Sequence, residues 1–142
     1  LKLALEELRE LARGLHPAVL SDHGLEPALR SLASRAPFPV EVVGAPPQRL
    51  DEGVEAGVYY VVAESLTNAV KHAEATEARV ELETTDAGIT VAIRDNGTGG
   101  ANMEGGSGLR GLADRVEALG GQLDVESRSG DGTVVRAMLP LR

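Results

Sequence analysis

Residues 78–96, ARVELETTDAGITVAIRDN, alternate apolar and polar side chains on both sides of a short break at Asp86-Ala87-Gly88. A period of two sends successive side chains to opposite faces of an extended strand. A break containing Asp and Gly between two such runs joins them as an antiparallel hairpin. A chain built around this hairpin must bury one apolar face, and its other segments have to supply the cover.

Helical patterns on either side meet that need. Downstream, NGTGGANMEGGSG (96–108) has six glycines in thirteen residues and cannot hold regular structure by itself. The pattern LRGLADRVEAL (109–119) then predicts a helix stopped by Gly120-Gly121. QLDVESRS and TVVRAMLPLR read as two more strands, turned through Gly130-Asp131-Gly132. Upstream, a helix is expected from about Glu52 to Ala73. Before it come a loop, APPQRLDEG, a strand, PFPVEVVG, and a helix, GLEPALRSLASRA, with Pro27 in its first turn. Residues 1–15 are rich in helix formers, and Leu1, Ala4, Leu8, Leu11 and Leu15 follow heptad spacing, closed by Gly14 and Pro17. Two heptads are too few for a coiled coil. Four strands in two hairpin-like pairs, with helices between, give an α+β layer.

Composition narrows the function. A chain of 142 residues forms one domain with at most a short appendage. Cysteine is absent, which excludes disulfides and thiolate-held zinc, and His16, His23 and His72 are too scattered to form a metal cluster. A net charge of −8 without a dense basic run opposes nucleic-acid binding and anionic membrane surfaces. No apolar run approaches the ~20 residues that span a bilayer. The chain begins at Leu1 already in helical pattern, as a fragment of a longer protein would.

Four short stretches carry chemistry. At about 100° per residue, Glu64, Asn68, Lys71 and His72 fall on one face of the long helix. Val58, Tyr59, Val62, Leu66, Ala69 and Ala73 fall on the core face opposite. A plain solvated face would also be polar, but Asn is a mediocre helix former. An amide oxygen beside cations suits a Mg²⁺-bound polyphosphate. Asp95-Asn96-Gly97-Thr98-Gly99-Gly100 follows a strand, where a turn is the plain reading. A carboxylate there also accepts from an exocyclic amine such as adenine's. Gly106-Ser107-Gly108-Leu109 opens a helix whose free N–H groups favour phosphate. Gly130-Asp131-Gly132-Thr133 turns into the last strand.

The run Gly106 to Gly111 also fits G-x-G-x-x-G, with Glu126 following at the distance of a dinucleotide fingerprint. That motif belongs in a tight turn straight after a strand. Here a loop separates it from Asp95, and the strands that follow it look antiparallel.

Taken in order, ESLTNAVKHA, IRDNGTGG, GSGLRGLADRV and GDGTVV resemble the N, G1, G2 and final glycine-threonine boxes of the ATP-binding catalytic domain of bacterial two-component sensor histidine kinases. The wider superfamily includes gyrase B, Hsp90 and MutL. LHPAVLSDHGLEPAL is similar to the group of the nitrate sensors and DesK. The resemblance covers nearly the whole chain. It implies a Bergerat-type two-layer α/β sandwich, with a mixed, mostly antiparallel sheet covered by helices on one face. It implies ATP and Mg²⁺ as ligands, with Asn68 on the metal and Glu64 holding a metal-bound water. Lys71 and His72 would face the phosphates. Asp95 would accept the adenine amine, Gly97 and Gly99 would line the base, and Thr133 would reach it through a water. Gly106, Gly108 and the Leu109 amide would cap the phosphates beneath a short lid over residues 99–107.

On this reading residues 1–20 end a dimerisation and phosphotransfer hairpin, and residues 21–142 form the ATP-binding domain. The resemblance further implies a cytoplasmic location, a homodimeric parent and a response-regulator partner. One departure stands out. His16 and His23 do not match the phosphoacceptor, since His16 precedes Pro17 and lies too close to the ATP boxes. The acceptor helix is expected outside this sequence, so the fragment should not phosphorylate itself. An anti-sigma-factor-type serine kinase, a non-catalytic ATP-gated module and a gyrase- or MutL-type ATPase are the alternatives.

Overall fold

The computed structural model describes residues 18–71, 74–98, 109–127 and 130–141. The described helices are α1 (Ala18–His23), α2 (Leu25–Arg35), α3 (Glu52–Lys71) and α4 (Leu109–Ala118). The strands are β1 (Val40–Val43), β2 (Ala78–Thr85), β3 (Gly88–Asp95), β4 (Gln122–Ser127) and β5 (Thr133–Leu139). They form one sheet in the order β1-β2-β3-β5-β4. β1 lies parallel to β2 and every other pairing is antiparallel. Parallel neighbours need a crossover, which α3 supplies between β1 and β2. The mixed, mostly antiparallel sheet is the α+β arrangement expected.

One sheet face is apolar. Val80 of β2, Ile89, Val91 and Ile93 of β3, and Val135, Ala137 and Leu139 of β5 are buried on it, beneath the helices. Leu29, Leu66 and Leu112 bring α2, α3 and α4 into the same core, and full burial of each leucine contributes about 2 kcal/mol. The opposite face carries a charged ladder. Arg79 pairs with Glu41 at 3.3 Å and Glu81 at 2.9 Å, and Arg94 pairs with Glu81 at 2.9 Å. Alternating polar residues are what a solvated sheet face selects.

The β2–β3 hairpin pairs all eight residues of each strand. Gly88 ends the break and is the first residue of β3. A Cβ there would overlap the carbonyl oxygen of Leu139, so close strand approach selects the glycine. At the end of α4 the cap formed as expected. Gly120 has φ 82°, its N–H donates to the Glu117 carbonyl at 2.9 Å, and the Gly121 N–H donates to Val116 at 3.0 Å, which is a Schellman closure.

The sequence reading missed α1, whose six residues are too few to display a helical period. It is held by Leu20, which is fully buried, and is cut from α2 by Gly24 at φ 90°. A clamp also ties α1 to the start of α3. The Glu55 carboxylate, 1% exposed, accepts from Arg49 Nε at 3.1 Å, Arg49 Nη2 at 3.0 Å and the Leu50 N–H at 3.0 Å. Arg49 Nη2 also donates to the Leu20 carbonyl at 3.3 Å.

Candidate functional site

The topology converges on one end of the sheet. Gly57, in the first half of α3, lies against side-chain methyls of Leu119 and Leu139. The second half of α3 therefore points away from Leu139, toward the opposite end of β5. From Lys71 the chain returns to Ala78, which is paired with Asp95, and seven residues span at most about 25 Å. α4 turns through Gly120 beside Pro140 and runs back for ten residues to Leu109, a rise of about 15 Å. The end of α3, the end of β3, the start of β5 and the start of α4 thus share one side of the molecule.

On α3, Glu64 and Asn68 are one turn apart and both half-buried, and Lys71 is the exposed last residue. The expected core-face residues Val58, Tyr59, Val62, Leu66 and Ala69 are buried, and Glu64, Asn68 and Lys71 fall on the narrower stripe that stays less buried. Twelve of its twenty residues are buried, because the sheet, α1, α2 and α4 all pack against it. Asn68 therefore sits in a polar recess of a buried helix. Its Nδ2 is buried and has no hydrogen-bond partner among the described residues. Such an orphan costs about 1–3 kcal/mol, which a ligand or a bound water would recover.

Asp95 closes β3, half-buried on the helix-covered face. Its Oδ1 accepts the Gly97 N–H at 2.9 Å, and the Thr133 backbone N–H also donates to the carboxylate. Burial raises its pKa above the ordinary aspartate value, and the two N–H donors oppose that rise. Gly97 is buried beside it. Gly132, at φ 80°, lies so close that a Cβ would overlap the Asp95 carbonyl oxygen. Thr133 is 7% exposed and pairs directly with Asp95. Leu109 is buried at the first position of α4, where backbone N–H groups lack helical partners.

Glu64, Asn68, Lys71, Asp95, Gly97, Leu109 and Thr133 are thus grouped at one end. His72, Gly99, Gly106 and Gly108 lie outside the described residues, as does the expected lid over 99–107. Two supporting residues were not anticipated. Asn96 Oδ1 accepts the Thr76 and Glu77 N–H groups at 2.9 and 3.1 Å, and its Nδ2 donates to Thr76 Oγ1 at 2.9 Å. This holds the loop after α3 against Asp95. Ser127, ending β4, lies 2.9 Å from the Thr133 hydroxyl. Only strand register reveals that contact, and the sequence gives no local sign of it.

Among the described residues no group of three or more His, Cys, Asp or Glu could hold a metal ion. Mg²⁺ held by one or two protein ligands plus phosphate oxygens needs no such cluster. The buried Nδ2 of Asn68, without a partner among the described residues, is compatible with that kind of site. Its oxygen and nitrogen are interchangeable by an amide flip.

Residues 53–142 match the family described as histidine kinase-, DNA gyrase B-, and HSP90-like ATPase. The histidine-protein kinase/phosphatase DegS of Brevibacillus brevis is 32% identical over 99% of this chain and 38% of its own length. The oxygen sensor histidine kinase NreB of Staphylococcus carnosus (strain TM300) is 32% identical over 96% of this chain and 42% of its own. The chain therefore spans about two fifths of the length of these relatives. The ATP-binding domain of PrrB from Mycobacterium tuberculosis superposes with a TM-score of 0.66 at 29% identity, covering 82% of this chain and 90% of that domain. A blue-light activated histidine kinase of Erythrobacter litoralis superposes at 0.70 over 96% of this chain and 47% of its own; at 22% identity it shares the fold. With the family match extending over most of the chain, from the start of α3 through β5, the protein belongs to the histidine kinase-, gyrase B- and HSP90-like ATPases.

Proposed function

We propose that this chain is the ATP-binding catalytic part of a sensor histidine kinase. It holds Mg-ATP at the α3–β3–α4 end of the sheet and delivers the γ-phosphoryl group to a histidine carried on another segment of the parent protein. The observation that carries this reading is the orphaned amide of Asn68, at the same end of the sheet as the half-buried Asp95 carboxylate. Asp95 accepts the adenine amine. Thr133 and Gly97 complete the base contact, and Gly99 lines it. The N–H groups opening α4 at Leu109, with Gly106 and Gly108, cap the phosphates. Lys71 and His72 neutralise phosphate charge.

Asn68 and Glu64 are the residues that would hold Mg²⁺ and its water; the ion would neutralise charge on the phosphate oxygens. The protein positions the triphosphate so that an imidazole nitrogen forms a bond to the γ-phosphorus as its bond to the β–γ bridging oxygen breaks, leaving ADP. Positioning and charge neutralisation dominate this chemistry. Residues 1–20 end the dimerisation hairpin of a homodimeric, cytoplasmically oriented parent that relays phosphate to a response regulator.

Calorimetric titration tests the site. The wild-type chain binds ATP in the presence of Mg²⁺, and Asp95→Asn weakens binding. Asn68→Ala weakens it and removes the benefit of Mg²⁺. Unchanged affinity in both variants would refute the site. Incubation with γ-labelled ATP should leave this chain unlabelled at histidine; a labelled histidine here would refute an acceptor on another segment.

A further inference from the structure

Asn96 ties the corner after β3 to the connection that leaves α3. Its Oδ1 accepts the Thr76 N–H at 2.9 Å and the Glu77 N–H at 3.1 Å, and its Nδ2 donates to Thr76 Oγ1 at 2.9 Å. Its own N–H donates to the Glu77 carbonyl at 3.4 Å. The direction of these bonds is fixed. Backbone N–H groups only donate, so the amide oxygen must face them and the amide nitrogen the hydroxyl. One residue before Thr76, the Ala75 N–H donates to the Ala69 carbonyl at 3.4 Å, in the last turn of α3. A run of hydrogen bonds thus leads from the end of β3 to the turn that holds Asn68 and Lys71.

The clamp sits where core packing gives out. Ala69 is buried, but Lys71, Thr76 and Glu77 are exposed. The last carbonyls of a helix have no helical partners, and an end that nothing caps frays. Asp95 does not depend on the clamp, because the Gly97 and Thr133 N–H groups hold its carboxylate and its backbone pairs with β2 and β5.

We propose that Asn96 is a positioning residue for the phosphate half of the site: by pinning the α3–β2 connection it keeps the last turn of α3 formed, with Lys71 set against the polyphosphate. This rests on the nucleotide reading above and deepens it. Asn96 itself touches neither base nor phosphate. A helix end that is formed only part of the time binds with an affinity reduced by that fraction.

Calorimetric titration of Mg-ATP into the wild-type chain, Asn96→Ala, Lys71→Ala and the double variant is the test. Asn96→Ala should weaken ATP about three- to tenfold, the net worth of about one hydrogen bond. With Lys71 already replaced, the same change should cost less than about twofold, because the group it sets in place is gone. Thr76→Ser keeps the hydroxyl and should bind ATP like wild type, whereas Thr76→Val should show part of the Asn96→Ala loss. An equal cost of Asn96→Ala with and without Lys71 would reduce Asn96 to support of the fold and overturn the proposal, as would no cost in the chain that keeps Lys71. Should Asn96→Ala fail to fold, Thr76→Val takes its place in the same cycle. Failure of the wild-type chain to bind ATP would overturn the nucleotide reading itself, whereas wild-type binding with an unmoved Asn96→Ala overturns the positioning role alone.

Discussion

Burial lifts the Asp95 carboxyl above the ordinary aspartate value of 3.8, while the N–H groups of Gly97 and Thr133 pull it back. An acid whose pKa is higher in the folded chain binds its proton more readily when folded. Ionised Asp95 therefore opposes folding, and this contribution to stability is lost as pH rises from about 3.8 through the folded value. The charge is kept because a carboxylate accepts from an amine and cannot repel it. Asp95→Asn should then hold or raise the thermal midpoint at neutral pH while weakening ATP about tenfold or more, the worth of a charged hydrogen bond. Thermal melts across pH 3–7 and ATP titrations on the same two proteins check both halves. A lowered midpoint would mean that the two N–H bonds outweigh desolvation. Gly132 bears on the backbone that carries this carboxyl. With φ 80° and no room for a Cβ beside the Asp95 carbonyl, Gly132→Ala should cost about 3 kcal/mol and displace Asp95 from its donors. Denaturant melts measure the first effect and ATP titration the second.

Among the elements, α3 does the most positioning, and both of its ends invite a test. At its start the Glu55 carboxylate is surrounded by Arg49 and Leu50 donors. Glu55→Gln removes the charge from that clamp and should lower stability by about 2 kcal/mol, seen in urea melts. Past its other end Glu74 takes φ 53°, a left-handed conformation that glycine adopts freely and other residues adopt at a cost. Glu74→Gly should raise stability by up to about 1 kcal/mol, read in the same melts, and leave Glu55 and its partners untouched. The elements were legible in the sequence where a local signal was strong. The hairpin showed its period of two, and α4 its Gly120-Gly121 stop. What was not legible depended on distant parts of the chain. α1 is held by the burial of Leu20 and by Arg49, which lies twenty-nine residues further along the chain. Gly88 is fixed by a strand fifty residues away. The breadth of burial along α3 comes from helices whose positions no helical wheel contains. Asp95 and Asn68 could be named from their motifs, but Ser127 could not, because only the β4–β5 register brings it to Thr133.

At the scale of the molecule, the site joins the sheet to α3 and α4, so its ligand should stabilise the whole fold. A ligand that binds only the folded chain adds RT ln(1 + [L]/Kd), about 2.7 kcal/mol at one hundred times Kd. For a domain of this size that is roughly a ten-degree rise in thermal midpoint. The rise also separates the two halves of the site. Chelating Mg²⁺ should shrink it in the wild-type chain, because metal and triphosphate bind together. In Asn68→Ala, where the amide is gone, the rise should already be small, and chelation should take nothing further away. In Asp95→Asn the rise should be smaller at a given ATP concentration yet still respond to chelation, because the metal half is intact. Differential scanning fluorimetry over a series of ATP concentrations, with and without chelator, gives all six curves. An equal response of both variants to Mg²⁺ would detach Asn68 from the metal. A rise in Asp95→Asn identical to wild type would detach the base from the end of β3, and the nucleotide would then have to be sought on another face of the sheet.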